Sequence, residues 1–147
     1  MNAKASERCT VLDVIGPAAY TAGQTINSVL FDMGNYDTVL AVLGAGAVAE
    51  SASIQGRWQA GEDTAASSIA TLTAPTAHAP LGTAQANKAV ILDLRAEQLP
   101  EGKRYVRLQL VTGALGTAGA INAFAVIQGF DARHAPGSHS SDVIEVV

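Results

Sequence analysis

The sequence of 147 residues predicts an all-β domain, either a sandwich or a barrel, from three observations. Apolar and polar residues alternate with a period of two in several segments, which is the side-chain period of a strand with one buried face. Helical periodicity does not recur along the chain. Turn-forming residues separate the alternating segments at short intervals. Short strands punctuated by turns in this way are typical of sandwiches and barrels.

The first alternating segment lies directly before a turn signal. Within residues 28–33, the side chains of Val29, Phe31 and Met33 fall on one face and polar side chains fall on the other. Gly34-Asn35 follows, and this pair favours a turn. The segment therefore predicts a half-buried strand that ends near Met33.

A glycine pattern follows in the apolar stretch TVLAVLGAGAVAE, residues 38–50. Its Gly44-x-Gly46-x-x-Ala49 is one tolerated form of the dinucleotide-binding fingerprint, which joins a strand, a glycine loop and a helix. The helix is essential there, because the pyrophosphate binds the amides of its N-terminus. A dinucleotide-binding enzyme is therefore one hypothesis for this chain, and it requires a helix just after Gly46.

The residues after the glycines instead alternate with the period of a strand. Val48, Ala52, Ile54 and Trp58 fall on one face, and mainly polar residues fall on the other. We therefore expect an extended strand through Trp58, with a hairpin or bend at the glycines where backbones approach closely. Trp58 could also serve as a sugar platform in a carbohydrate-binding sandwich, although a lone tryptophan in an alternating strand is more often part of the core.

Three further strands are predicted in the second half of the chain. Every second residue is apolar in two of them, namely Val90, Leu92 and Leu94 in residues 90–95, and Val106, Leu108 and Leu110 in residues 105–110. Residues 121–130 carry apolar side chains on both faces, which predicts a central strand that is covered on each side.

The predicted domain occupies residues 10–136, with polar or Pro/Gly/Ser-rich arms at residues 1–9 and 137–147. One long connection, residues 59–87, is rich in Ala, Thr and Pro, and only residues 69–73 within it resemble a strand. A connection of this length inside a compact domain is usually a functional loop or a partly ordered excursion.

Composition excludes several classes of function. The net charge is −4, which argues against a nucleic-acid partner, because such proteins need an excess of Lys and Arg. The longest apolar runs are shorter than the ~20 residues that cross a bilayer, so no membrane partner is expected.

Cys9 is the single cysteine and cannot form an internal disulfide, which suits a reducing cytosol. Only 15% of residues are charged and 48% are hydrophobic, so self-association is expected.

No set of residues predicts catalysis. His78, His134 and His139 lack the cysteine partners of common zinc sites and are interpreted as solvated loop residues. No nucleophile-elbow motif is present. We therefore predict no catalytic residues, no metal, no cofactor and no enzymatic activity.

Three stretches together resemble the small head-decoration, or cement, proteins of tailed bacteriophages. These stretches are residues 31–40 (FDMGNYDTVL), residues 87–94 (NKAVILDL) and residues 104–108 (RYVRL), followed by residues 131–136 (DARHAP) after the last strand. The resemblance spans about residues 25–136. It implies a jelly-roll β-sandwich that binds the outer surface of the assembled shell as a dimer or trimer, without catalysis. The major capsid protein would be its partner, and synthesis would take place in the host cytoplasm.

Two groups of residues are candidates for the interface with that shell. Arg104, Tyr105 and Arg107 are residue types that interfaces enrich, and they suit an acidic shell surface. The apolar tail, represented by Val143, Ile144 and Val146, could add as a strand to an exposed sheet edge or could pack on its own domain. A head spike base or a tail component is the structural alternative for the same strand pattern.

Overall fold

The computed structural model describes residues 8–50, 52–72, 80–114 and 120–132. The strands in this part of the chain are β1 (Cys9–Tyr20), β2 (Thr25–Asn27), β3 (Phe31–Asp32), β4 (Tyr36–Val48), β5 (Ala52–Gly61), β6 (Ala70–Thr71), β7 (Lys88–Arg95), β8 (Tyr105–Ala114) and β9 (Ile121–Ala132). Its short 3-10 helices are Met33–Asn35, Ala66–Ser68, Thr83–Gln85 and Ala96–Gln98.

The strands form two antiparallel sheets that pack into a sandwich. Sheet A has the strand order β1-β9-β4-β7, and sheet B has the order β2-β8-β5-β6, with β3 also pairing with β8. The chain passes from one sheet to the other at most connections, which gives the interleaved order of a jelly roll. The predicted all-β sandwich of jelly-roll type is confirmed.

The predicted core alternation is confirmed in three strands. In β8, Val106, Leu108 and Leu110 are fully buried, and Leu92 and Leu94 of β7 are buried while their neighbours face outward. In β5, Ala52, Ile54 and Trp58 are buried, and the strand runs through Trp58 as expected. β9 occupies the interior position in sheet A that was predicted for it, between β1 and β4. The prediction that both of its faces are covered is wrong, because Ala123, Ala125 and Ile127 are buried on one face while Phe124 is 40% exposed on the other.

The strand predicted for residues 28–33 is largely wrong. Only Phe31–Asp32 form a strand, and Met33 begins a 3-10 helix. Val29 does not share the buried face, because 56% of its surface is exposed. Its backbone N–H donates to the Asp13 carboxylate at 2.8 Å instead of to a neighbouring strand. Apolar and polar residues do alternate in this segment, but the Asp13 side chain accepts the hydrogen bond that a neighbouring strand would have accepted from Val29.

The hairpin or bend expected at the glycines lies slightly later in the chain. Gly44 and Gly46 are inside β4, and the chain passes from sheet A to sheet B between Val48, where β4 ends, and Ala52, where β5 begins. The pairing of β4 with β9 is irregular between Ala45 and Val48, which places Gly46 next to a bulge. No helix follows the glycines, so the geometry that a dinucleotide fingerprint requires is absent from the described residues here.

The long connection lies between Gly61 and Lys88, and several of its described residues pair with β5. Within it β6 pairs with β5, and Leu81 forms an isolated bridge with Ile54. The expected strand at residues 69–73 is therefore confirmed at Ala70–Thr71, whereas residues 73–79 lie outside the described residues.

Cys9 pairs with Phe130 as the first residue of β1, while residues 1–7 and the arm 137–147 also lie outside the described part.

Candidate functional site

A row of apolar side chains crosses the outer face of sheet A on all four strands. In the strand register, Val14 lies opposite Val126, Val126 opposite Val42, and Val42 opposite Ile91. Ile91 is 65% exposed and Phe124 is 40% exposed, and the others are partly exposed. We call this surface the apolar face, and its residues are Val14, Leu40, Val42, Ile91, Phe124 and Val126. Contiguous apolar side chains on the surface of a small protein are a feature of protein contact surfaces, so the apolar face is the candidate site.

A groove of about 660 Å³ continues the apolar face over the two glycines of β4. Gly44 forms its floor beneath the Phe124 ring, and a Cβ at this position would overlap that ring. Pro17 and Ala89 form its sides, and Lys88 also lines it. Gly44 therefore lets an aromatic ring lie flat on the sheet, and the groove offers mainly methyl groups and backbone to a ligand.

Charged residues border the apolar face on the edge strand β7. Asp93 and Arg95 point outward there, and Arg95 forms an exposed ion pair with Glu97 at 3.5 Å. An apolar centre with a charged margin is the usual arrangement of a protein interface. This arrangement suits binding to an apolar surface of another protein more than acid-base chemistry.

The outer face of sheet B has the opposite character. The outward residues of its long strands are mainly polar, and several are bonded to one another across the strands. This face therefore satisfies its own hydrogen bonds, whereas the apolar face of sheet A leaves apolar surface in contact with water.

Arg104 and Tyr105 lie together at the start of β8, where Asp32 joins them. The Arg104 guanidinium donates from Nε to Asp32 Oδ1 at 2.6 Å and from Nη2 to Asp32 Oδ2 at 2.5 Å. Asp32 Oδ1 also accepts from the Gly34 backbone N–H at 2.8 Å. The Arg104 guanidinium carbon lies 5.9 Å from the centre of the Tyr105 ring. Arg104 thus ties β3 to β8, and its role in an interface stays a prediction.

The hydrogen bonds from Arg104 hold the pKa of the Asp32 carboxyl below its ordinary value, and the Gly34 N–H adds to this effect. A carboxyl with a lowered pKa stabilises the folded state above its unfolded-state pKa, and that stability is lost as the pH falls through the folded-state pKa. We expect Asp32→Asn to lower the free energy of unfolding by about 1 kcal/mol at neutral pH, because a charge-assisted pair and a helix cap are weakened.

Urea unfolding of the wild type and Asp32→Asn across the acid range measures this effect. The difference between the two proteins should shrink as the pH falls from the unfolded-state pKa of aspartate, about 4, through the lowered pKa of Asp32 in the folded protein. Asp63 keeps part of the acid dependence in both proteins, since the Ser68 hydroxyl lowers the pKa of its carboxyl. A difference that stays constant down to about pH 2 would contradict the role of the Asp32 charge.

The other candidates have different outcomes. Arg107 lies on the outer face of sheet B, half-buried and bonded to Gln59, whereas Asp32 bonds to Arg104. Val143, Ile144 and Val146 lie outside the described residues. The sugar-platform hypothesis is wrong, because Trp58 is 0% exposed and no ligand can reach its ring.

Sequence reasoning missed the apolar face, although two signals pointed to it. The double-sided apolar pattern of residues 121–130 was interpreted as a covered strand, and Ile91 stands among polar residues on the outward side of β7.

Within the described ranges, no helix has the length and hydropathy needed to span a membrane. The same part of the chain holds no cluster of three or more His, Cys, Asp or Glu suited to a metal ion, and the three histidines are outside it.

No protein-family model matches the sequence, and no curated protein matches it. Among solved structures, the chain is similar to VP2 of infectious bursal disease virus in a subviral particle, with a TM-score of 0.57 and 11% identity over 90% of this chain and 35% of that chain. Structures of the Gx and Gt strains of the same virus match with a TM-score of 0.48 each, at 12% and 13% identity, over 86% and 84% of this chain and 32% of each solved chain. The chain thus spans about a third of the length of the viral chains it matches, and with the VP2 of the subviral particle it shares the β-sandwich fold.

Proposed function

We propose that this protein is a structural component of a virus particle, a decoration protein that binds the outer surface of a tailed-phage head. The observation that carries the proposal is the apolar face of sheet A. Its row of valine and isoleucine side chains crosses the whole sheet. The fold similarity to VP2 in a subviral particle supports a virion role at the level of architecture.

The physical reason for a bound partner is the cost of hydrating this face. Apolar surface removed from water contributes about 25 cal/mol per Å², so covering Ile91, Phe124 and their neighbours favours association. The sandwich cannot cover the face with its own core, because the inner side of sheet A already packs against sheet B. A shell subunit with a matching apolar surface is the partner that we assign to it.

Such binding would stabilise an assembled shell by mass action. A protein that binds the assembled state and not the separated subunits shifts the equilibrium toward assembly. Copies that contact more than one subunit gain further from high effective concentration. Self-association into a dimer or trimer would multiply these contacts.

The test adds labelled protein to purified heads from a phage that lacks its gene, and measures the bound copies by co-sedimentation. We expect Ile91→Glu and Phe124→Glu to weaken binding by roughly tenfold or more, because each places a charge in the apolar contact. Both side chains are exposed, so both variants should fold. Ser67→Glu, at an exposed site in the 3-10 helix beside β6, is the matched charge control and should bind normally.

Unchanged binding of both glutamate variants would remove the apolar face from the proposal. Loss of self-association with intact head binding would assign the face to contacts between copies of this chain. A reconstruction of the intact particle that places the protein only on the tail would favour the alternative of a tail component.

A further inference from the structure

The outer face of sheet B carries two arginines that are each held by a glutamine. Arg57 donates from Nε to Gln109 Oε1 at 2.8 Å, and Arg107 donates from Nε to Gln59 Oε1 at 2.8 Å. The register pairs Arg57 with Gln109 and Gln59 with Arg107 across β5 and β8. The two arginines are therefore diagonal neighbours on one surface.

The glutamines are themselves fixed by further hydrogen bonds. Gln109 is 6% exposed and donates from Nε2 to Asn27 Oδ1 at 2.9 Å. Gln59 is 8% exposed and donates from Nε2 to Thr71 Oγ1 at 3.3 Å. Each glutamine thus uses its oxygen for an arginine and its nitrogen for the next strand. The arginine side chains are ordered before any ligand arrives, so binding costs less side-chain entropy.

The charge of this surface is positive although the protein is acidic. β2, β5, β6 and β8 contain no aspartate or glutamate, and the carboxylate that sheet B does carry, Asp32 of β3, is already paired with Arg104. Among the described residues, the basic side chains that form ion pairs are Arg95, Lys103 and Arg104, so Arg57 and Arg107 have no carboxylate partner there. Two neighbouring guanidinium groups without a counter-charge favour an anionic ligand.

We propose that Arg57 and Arg107 form a binding site for an acidic protein segment that carries at least two carboxylates. The guanidinium fork matches a carboxylate in two parallel hydrogen bonds. Neighbouring Asn27 and Thr71 supply polar groups along the same surface. A nucleic acid is a poorer match, because its affinity comes from many phosphate contacts and this surface offers two cations on a chain of net charge −4.

This site is independent of the proposed function, since it lies on the sheet opposite the apolar face. A molecule with both surfaces can hold one partner on sheet A and a second, acidic partner on sheet B. The two contacts depend on different forces, so salt should weaken the acidic contact far more than the apolar one.

The experiment measures binding of a fluorescein-labelled hexaglutamate peptide by fluorescence anisotropy at about 20 mM salt, where screening is weak. We expect Arg57→Gln and Arg107→Gln each to weaken binding by roughly threefold to tenfold, and the double variant to abolish it. Arg95→Gln is the matched control, because it removes one positive charge on sheet A. It should bind the peptide like the wild type.

Thermal melting verifies that each variant folds, because both arginines also bond to glutamines. Arg57→Lys and Arg107→Lys form a second series that keeps the charge and removes the guanidinium fork. We expect these variants to bind more weakly than the wild type and more tightly than the glutamine variants. The proposal is overturned if the peptide does not bind or if the double variant binds it normally. Tighter, arginine-dependent binding of a hexathymidylate would assign the site to phosphates instead.

Discussion

Replacing Trp58 by alanine should lower the free energy of unfolding by roughly 3–5 kcal/mol, the largest stability effect that we expect in this chain. Trp58 is 0% exposed and lies in the middle of β5, where it faces sheet A. Its ring contacts Phe31 edge-to-face, with the ring centres 6.1 Å apart. The substitution removes this contact and leaves a cavity between the sheets that the neighbouring side chains cannot fill.

Trp58→Phe is the matched control for this prediction. It retains an aromatic ring beside Phe31 and removes the indole N–H, which is buried without a hydrogen-bond partner among the described residues. Its cost should therefore be well below that of alanine. Because Trp58 is the single tryptophan, unfolding is followed by circular dichroism, and the melting temperature of Trp58→Ala should fall by roughly 10 °C. Equal losses in the two variants would contradict a packing role for the ring.

The sandwich could be predicted because alternation of polar and apolar residues shows both that a segment is a strand and which of its faces is buried. In β8, polar side chains separate Val106, Leu108 and Leu110, so the buried face is unambiguous. In β7, the charged Asp93 and Arg95 flank Leu94 and mark the outward face, although Ile91 on that face is apolar. The same reasoning placed the strand through Trp58 and thereby disfavoured the dinucleotide fingerprint. Local alternation was sufficient for these elements, because the period of two holds without interruption.

β1 was not predicted, and its register explains why. Its pairing with β9 shifts between Val11 and Asp13 and again between Ile15 and Ala18. Each shift moves the following side chains to the other face, so the apolar pattern loses its period. Gly16 and Pro17 add a local turn signal inside the strand. The irregular strand therefore resembled a loop in sequence.

The candidate surfaces depend on information that is not local. Val42 and Val126 are apolar on the outward side, and alternation cannot tell which of two apolar faces is covered. The bonds of Arg57 to Gln109 and of Arg107 to Gln59 require the register of strands about 50 residues apart in sequence. Arg107 was noticed for its residue type, while its neighbour Arg57 became a candidate only through the pairing of β5 with β8.

Thr112→Val should lower the free energy of unfolding by about 2 kcal/mol, because one buried hydroxyl organises the connection between the two sheets. Thr112 is 1% exposed, and its Oγ1 donates to the Thr21 carbonyl at 2.6 Å. The same oxygen accepts from the Gln24 backbone N–H at 2.8 Å. These bonds hold residues 21–24, which carry the chain from β1 in sheet A to β2 in sheet B. Valine has the same shape and offers neither bond.

Thr112→Ser distinguishes the contribution of the hydroxyl to stability from that of the methyl group. Serine retains both hydrogen bonds and loses only a small apolar contact. We expect this variant to lose less than half of the stability that valine loses in urea unfolding. Hydrogen exchange should accelerate at the Gln24 amide in Thr112→Val and change little in Thr112→Ser, because that amide loses its acceptor only in the first. If serine proved as costly as valine, the methyl group rather than the hydroxyl would hold the connection, and packing would replace hydrogen bonding as its cause.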